Sequence, residues 1–198
     1  MSALLVVISG PGGVGKDTLI GMLRRRDPRL SYSVSYTTRP QRDYEVEGEH
    51  YCFVDEGRFW ELAAEGELLE HARVNGHLYG TSASRVGQAL GEGRDVILKI
   101  DVQGAEQVRR RRPEAVFVFI SPPSMEELLR RRERRGTEAP EVMEARQRLA
   151  EVEMGYAPNY DHVVVNDDAE RAVGEILGIL AAERDRSPCR ASSGGRRP

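Results

Sequence analysis

The sequence predicts an α/β fold three layers deep, with helices on both faces of a parallel central sheet. Three observations carry that expectation. Short apolar runs rich in branched residues alternate with helical patterns along most of the chain, the rhythm of strand–crossover–strand units. The first run ends in a glycine-rich turn that opens directly into a helical pattern. Between residues 33 and 81 the rhythm breaks into alternating aromatic and β-branched residues with polar turns, which predicts a small antiparallel insert.

LLVVIS, Leu4 to Ser9, reads as a buried parallel strand. KDTLIGMLRRR follows at helical spacing, with Leu19, Met22 and Leu23 inward and arginines in the last turn, where they complement the helix dipole. DVILKI (Asp95 to Ile100), AVFVFI (Ala115 to Ile120) and HVVVN (His162 to Asn166) predict three more central strands. The helical stretches GAEQVRRRR, SMEELLRRRERRG and PEVMEARQRLAEVEMGYA separate them and imply right-handed crossovers. Arg109 to Arg112 suit a helix C-terminus, and Phe59 and Trp60 suit packing. The stretch 124–156 is basic, then acidic, and predicts a mobile helical hairpin; the tail 187–198 is poor in apolar residues and predicts disorder. The expected organisation is one domain over 1–186: a core of 1–32, 82–123 and 157–186, an insert over 33–81, and a hairpin over 124–156.

Composition narrows the function classes. A hydrophobic share of 39% beside 31% charged residues is the balance of a soluble globular chain. The net charge of −3 gives no overall attraction to nucleic acid or anionic membranes, so any basic role is local. No apolar run approaches a membrane span, and the N-terminal one lacks the length and basic flank of a signal peptide. Cys52 and Cys189 make no disulfide framework, and the four histidines show no metal spacing; a reducing cytoplasm is the expected location.

Three constellations carry chemistry. GPGGVGK, Gly10 to Lys16, has the G-x-x-x-x-G-K spacing of a phosphate-binding loop between a strand and a helix. Gly10, Gly12, Gly13 and Gly15 free the backbone N–H groups around Pro11 and Val14 to wrap a phosphate, and the helix N-terminus adds its positive end. Ser35, Arg39, Arg42 and Tyr51 form the second; two arginines three apart can clamp a dianionic phosphate, although alone they suit a solvated turn equally. In the third, ELLEHARVNGHLYGT, Glu70 can accept from guanine's N1–H and exocyclic amine, with the Tyr79 and Thr81 hydroxyls nearby. By itself Glu70 reads as an ordinary surface carboxylate.

Together these pieces resemble guanylate kinases, a family of P-loop nucleoside monophosphate kinases, from about Leu4 to Ala182. The resemblance rests on GPGGVGK, SVSYTTRPQRDYEVEGEHYCFV, GELLEHARVNGHLYGT, ILKIDVQGA, FVFISPPS, RRERRGTE and VVVNDD in order. It implies phosphoryl transfer from ATP to GMP and dGMP with Mg²⁺, in purine nucleotide metabolism, and makes 33–81 a GMP-binding insert and 124–156 a lid. By position, Ser35, Arg39, Arg42, Tyr51, Glu70, Tyr79 and Thr81 match the family's GMP contacts, and Asp101 an acidic residue beside GMP and metal. Arg131, Arg135 and Arg146 match lid arginines that act in catalysis with Lys16 and Arg39, and Asn166 a residue beside adenine. Arg131 and Arg135 share a helical face, while Arg130, Arg132 and Arg134 read as the solvated one.

Two positions depart from the family pattern. Asp17 stands where serine is usual, and Lys99 where an acidic residue usually precedes Ile100 and Asp101. Adenylate kinases often carry glycine then threonine here, so the candidate metal ligand is Asp17 or Thr18. Ribose bisphosphate phosphokinases often have aspartate after the loop lysine, which keeps a sugar-phosphate acceptor as an alternative; Arg39, Arg42, Tyr51, Glu70 and Tyr79 argue for GMP. A non-catalytic binding module is the other alternative, against which stand Lys16, Arg131, Arg135 and Asn166. The two departures also read as linked, Lys99 balancing a carboxylate that has moved from strand to loop. The plainer reading makes Asp17 a first-turn helix acid and leaves Lys99 exposed.

Overall fold

A computed structural model of the chain describes residues 3–74, 76–134 and 140–190. Strand β1 (Leu5–Ser9) is buried at every position and leads through the glycine turn into α1 (Lys16–Arg26). Then come β2 (Leu30–Tyr32), β3 (Tyr36–Thr37), β4 (Cys52–Phe53), α2 (Glu56–Ala64), β5 (Leu68–Val74), β6 (His77–Ser82) and α3 (Ala83–Gly91). The remainder is β7 (Asp95–Lys99), α4 (Val102–Arg111), β8 (Val116–Ser121), α5 (Met125–Glu133), α6 (Pro140–Gly155), a 3₁₀ turn at Ala157–Asn159, β9 (His162–Val165) and α7 (Ala169–Arg190).

The central sheet is parallel throughout, in the order β2-β7-β1-β8-β9. Strand periodicity divides β1 between two cores. Val6 and Ile8 join Leu19 and Leu23 of α1 and Ile176 and Leu180 of α7 on one face. Leu5 and Val7 join Val86 of α3, Ala105 and Val108 of α4, and Phe117 and Phe119 on the other. The three-layer expectation is met. Truncating Leu23 to alanine in so closed a layer costs about 2–5 kcal/mol. β7 and β8 flank β1 on opposite sides, so the chain reverses direction across the sheet there, and the loops after all three strands open on one crevice.

The insert forms a second sheet, ordered β4-β3-β6-β5, over a small core of Phe59, Leu62, Leu68 and Leu78. Its β5–β6 and β3–β6 pairs are antiparallel, but β3 and β4 run parallel, so the sheet is mixed rather than antiparallel throughout. The long connection 38–51 makes this possible by returning the chain to the same end before β4 starts. Helix α2, capped by Asp55 accepting from the Arg58 N–H at 2.8 Å, is an addition to the expected strands. Phe59 is fully buried beneath it, whereas Trp60 is half open to solvent and meets Phe59 and His71 edge-on.

Side chains of α4 join the two sheets. Gln107 exchanges a pair of hydrogen bonds with the backbone of His71, its oxygen accepting at 3.2 Å and its amide donating at 2.7 Å. Arg111 donates to the carbonyls of Leu68 and Leu69 at 2.9 and 2.6 Å. Arg109 lies 3.7 Å from the centroid of the Phe117 ring. At the far end of the central sheet, buried Arg184 of α7 donates to Asp95 and Asp27, each at 2.7 Å, while Asp95 also accepts from the Leu4 N–H. Helix α7 runs to Arg190, past the point where the sequence reading ends the domain; 191–198 lie outside the described residues. Among the described residues no helix is long and apolar enough to cross a membrane.

Candidate active site

The loop between β1 and α1 is shaped by what its glycines lack. Gly10 has φ 143° and Gly15 φ 103°, conformations that side chains rarely adopt. A Cβ on Gly10 would collide with the Ile120 carbonyl of β8, and one on Gly15 would stand 2.6 Å from the Asn166 amide. That amide donates 2.8 Å to the Val14 carbonyl, so Asn166, following β9, braces the loop from below. Lys16 turns back over its own loop and donates to the Gly10 and Pro11 carbonyls at 2.5 and 3.2 Å. Burial, opposed by nearby Glu153, pushes its ammonium down to about 8.

Helices α5 and α6 close over this loop. Arg131 donates to Glu127 at 2.8 Å and to the Asn166 carbonyl at 2.9 Å. Arg132 donates 2.8 Å to the Gly12 carbonyl and 2.9 Å to the Arg146 carbonyl, so it is a loop contact and not part of a solvated face. From α6, the Glu153 carboxylate accepts from the Gly12 N–H at 3.4 Å; burial pushes this carboxyl up. Arg135 lies outside the described residues.

Across the crevice an open cleft of about 890 Å³ is lined by Asp17, Arg39, Arg42, Tyr51, Tyr79 and Lys99, among others. Tyr51 and Tyr79 meet edge-on at 5.8 Å. Arg39 donates 2.6 Å to Glu45, whose second oxygen accepts from the Arg42 N–H at 2.9 Å. Burial works against ionisation of Glu45, and these two donors outweigh it, holding the carboxyl below its usual range. The Arg42 guanidinium rests on the Tyr44 hydroxyl at 2.7 Å.

Beneath the cleft a smaller cavity of about 220 Å³ is lined by Ser35, Tyr51, Glu70, Tyr79, Lys99 and Asp101. Thr81 donates to Glu70 at 2.5 Å, and burial, helped by Asp101, pushes the Glu70 carboxyl up to about 7. Asp101 caps α4 by accepting from the Gly104 N–H at 2.8 Å. Gly104 has no room for a side chain, because a Cβ there would strike the second Glu70 oxygen. The molecule therefore places a phosphate-sized loop opposite an arginine cleft that narrows to a buried carboxylate.

That arrangement agrees with the chain's similarity to known proteins: the guanylate kinase family model matches residues 2–183. The chain belongs to the guanylate kinase family. It is 49% identical over 186 residues to the guanylate kinase of Alkalilimnicola ehrlichii, covering 94% of this chain and 92% of that protein. Identity to a guanylate kinase of Thermus thermophilus is also 49%, over 187 residues, with 94% and 83% covered. The crystal structure of guanylate kinase from Anaplasma phagocytophilum superposes with a TM-score of 0.77 at 36% identity, covering 92% of this chain and 86% of that one.

Within this guanylate kinase family fold, the residues singled out from sequence fall into two groups facing one crevice. Gly10 to Thr18, Asn166 and Arg131 gather around the loop, and Arg146 is tied in through its backbone carbonyl, which accepts from Arg132; Ser35, Arg39, Arg42, Tyr51, Glu70, Tyr79, Thr81 and Asp101 gather across from it. Glu45 and Glu153 went unremarked in the sequence, and Arg132, read there as solvated, instead meets the loop. Nothing in the sequence separates Glu45 from Asp43, Glu47 and Glu49 beside it; burial and the bonds to Arg39 and Arg42 do. Arg132 and Glu153 show themselves only once α5 and α6 are folded over the loop. The expected link between the two departures is present, with the Lys99 ammonium 2.5 Å from the Asp17 carboxylate.

Proposed function

We propose that the protein transfers the terminal phosphoryl group of ATP to GMP, and to dGMP, giving ADP and GDP. The observation that carries this reading is buried Glu70 in a cavity that shares Tyr51, Tyr79 and Lys99 with the cleft lined by Arg39 and Arg42. A carboxylate there accepts from guanine's N1–H and exocyclic amine, which adenine does not offer, while the cleft takes the phosphate. A baseless sugar phosphate has no use for Glu70, which disfavours the ribose bisphosphate alternative. Retention of Lys16 in a strand–loop–helix setting disfavours a non-catalytic module.

In this reading the loop N–H groups and the N-terminus of α1 bind the donor phosphates, and Lys16 exchanges its bonds to Gly10 and Pro11 for phosphate oxygens. Arg39, held by Glu45, and Arg131, held by Glu127, are preorganised where negative charge spreads over the transferring group. Arg146 and Arg135 belong to the same set by their position in the family motif. An oxygen of the acceptor phosphate attacks the terminal phosphorus in line as ADP departs. Residues 33–81 serve as the GMP-binding unit and 124–156 as a lid that excludes water, both against the core.

Among the described residues no group of three or more acidic, His or Cys side chains could cage a metal. Mg²⁺ fits a sparser arrangement, with phosphate oxygens and water as most ligands and Asp17 or Thr18 supplying one. When bound, it neutralises charge shared between the donor phosphates. The expected setting is cytoplasmic purine nucleotide metabolism.

Release of ADP in a coupled assay, with GMP, dGMP, AMP and ribose bisphosphate offered separately, tests the reading. Turnover with GMP and dGMP is expected, and Lys16→Met should lower kcat by about 10²-fold or more. Turnover with ribose bisphosphate but not GMP would overturn it.

A further inference from the structure

Lys99 occupies a position that neither of the two site halves explains. It ends β7, and its ammonium lies 2.5 Å from Asp17 on the first turn of α1, directly after the phosphate loop. On its other side it lies 3.4 Å from the Tyr51 hydroxyl and 5.5 Å from the Tyr51 ring centroid. Lys99 lines both the arginine cleft and the smaller cavity with Glu70. A cation so placed stands at the junction of donor loop and acceptor cleft.

The energetics do not fit a pair kept for stability. The Lys99 side chain is 16% exposed, whereas its Asp17 partner is 83% exposed. Sequestering an ammonium is costly, and an ion pair to a water-exposed carboxylate returns little. Burial works against the Lys99 charge, yet the Tyr32 and Tyr51 oxygens and the Asp17 carboxylate hold it above the usual lysine range. The site thus retains a full positive charge facing a cleft already suited to an anion.

We infer that Lys99 is a ligand of the acceptor nucleotide's phosphate, joining Arg39 and Arg42, and that Asp17 is the counter-ion that holds it there until the phosphate arrives. The inference rests on the acceptor reading proposed above. It goes further by assigning a specificity role to the residue at which this chain departs from its family's acidic pattern. The phosphate displaces one carboxylate oxygen and takes over a donor already aimed at it.

Calorimetric titration of GMP and of guanosine, without ATP or metal, separates the possibilities. Lys99→Met should weaken GMP binding by about tenfold or more, leave guanosine binding unchanged and leave Tm near that of the wild type. Asp17→Asn should bind GMP at least as tightly as the wild type, since the competing carboxylate charge is gone. Equal GMP affinity in wild type and Lys99→Met, or parallel losses for GMP and guanosine, would overturn the assignment while leaving the acceptor reading standing. A loss in Asp17→Asn matching that of Lys99→Met would also overturn it, because the pair would then be structural. A wild type that takes up no GMP would remove the acceptor reading itself, and Lys99's role with it.

Discussion

Thr81 donates a 2.5 Å hydrogen bond to Glu70 across the β5–β6 pair, with both residues buried. The bond favours the ionised carboxylate but does not overcome burial, which raises the group from 4.5 to about 7. Between those values the unfolded carboxyl has released its proton and the folded one has not. The unfolded state therefore binds fewer protons, and stability falls as pH rises through that window. Glu70→Gln should flatten this slope, which is worth on the order of 3 kcal/mol across the window. Guanine requires the ionised form, so guanosine affinity should rise from pH 6 to pH 8 in the wild type and stay low and flat in Glu70→Gln. Titrations at several pH values check both trends.

Gly104→Ala tests the same pocket from α4. The new Cβ would strike Glu70, with the capping residue Asp101 on its other side, so the carboxylate must rotate away. The expected result is a KM for GMP raised about tenfold or more, with the KM for ATP little changed. An unchanged KM for GMP would show that the Glu70 carboxylate has room to shift without consequence.

Glu45→Gln should weaken the phosphate clamp without touching substrate. It removes the charge from a buried carboxylate that holds both the Arg39 guanidinium and the Arg42 N–H. Charge-assisted bonds of this kind are worth about 1.5–3 kcal/mol, so the KM for GMP should rise about tenfold. Guanosine affinity should not follow, which distinguishes loss of the clamp from general loosening.

Arg184→Met addresses stability alone. Removing the guanidinium strands Asp95 in the interior and releases Asp27 at the end of α1. Breaking such a buried network costs about 3–5 kcal/mol, readable as a lowered urea midpoint. In the wild type, Asp27 lies below its usual range: burial opposes ionisation, and bonds from Arg29 and Arg184 outweigh it. Its contribution is present above 3.8 and lost as pH falls through its lower folded value, so the variant should also show a weaker acid transition. Because Arg184 lies at the end of the sheet away from the loop, kcat measured well below Tm should match the wild type.

How far the sequence could be read follows from where each signal is stored. β1, the loop and α1 are legible because one contiguous stretch contains the buried strand, the positive-φ glycines and the helix face. β2 is not, since Leu-Ser-Tyr is three residues long and takes its place only by pairing with β7. α2 hides because Gly57 weakens its helical pattern within a stretch otherwise read as strand and turn. The Asp17–Lys99 pair is legible despite wide separation, because two departures of opposite charge suggest one compensating contact. Glu45, Arg132 and Glu153 are charged residues in charged surroundings, and only the folded chain shows which partner each one meets.

The Gln107 and Arg111 contacts have a consequence for solubility. β5 is an outer strand of the insert sheet, with backbone groups that would otherwise invite another chain to add itself there. One helical turn apart on α4, the two side chains meet the backbone at Leu68, Leu69 and His71 much as a neighbouring strand would. Replacing both by alanine would unmask that edge. The first symptom would then be aggregation during expression, before any loss of catalytic competence in the molecules that fold.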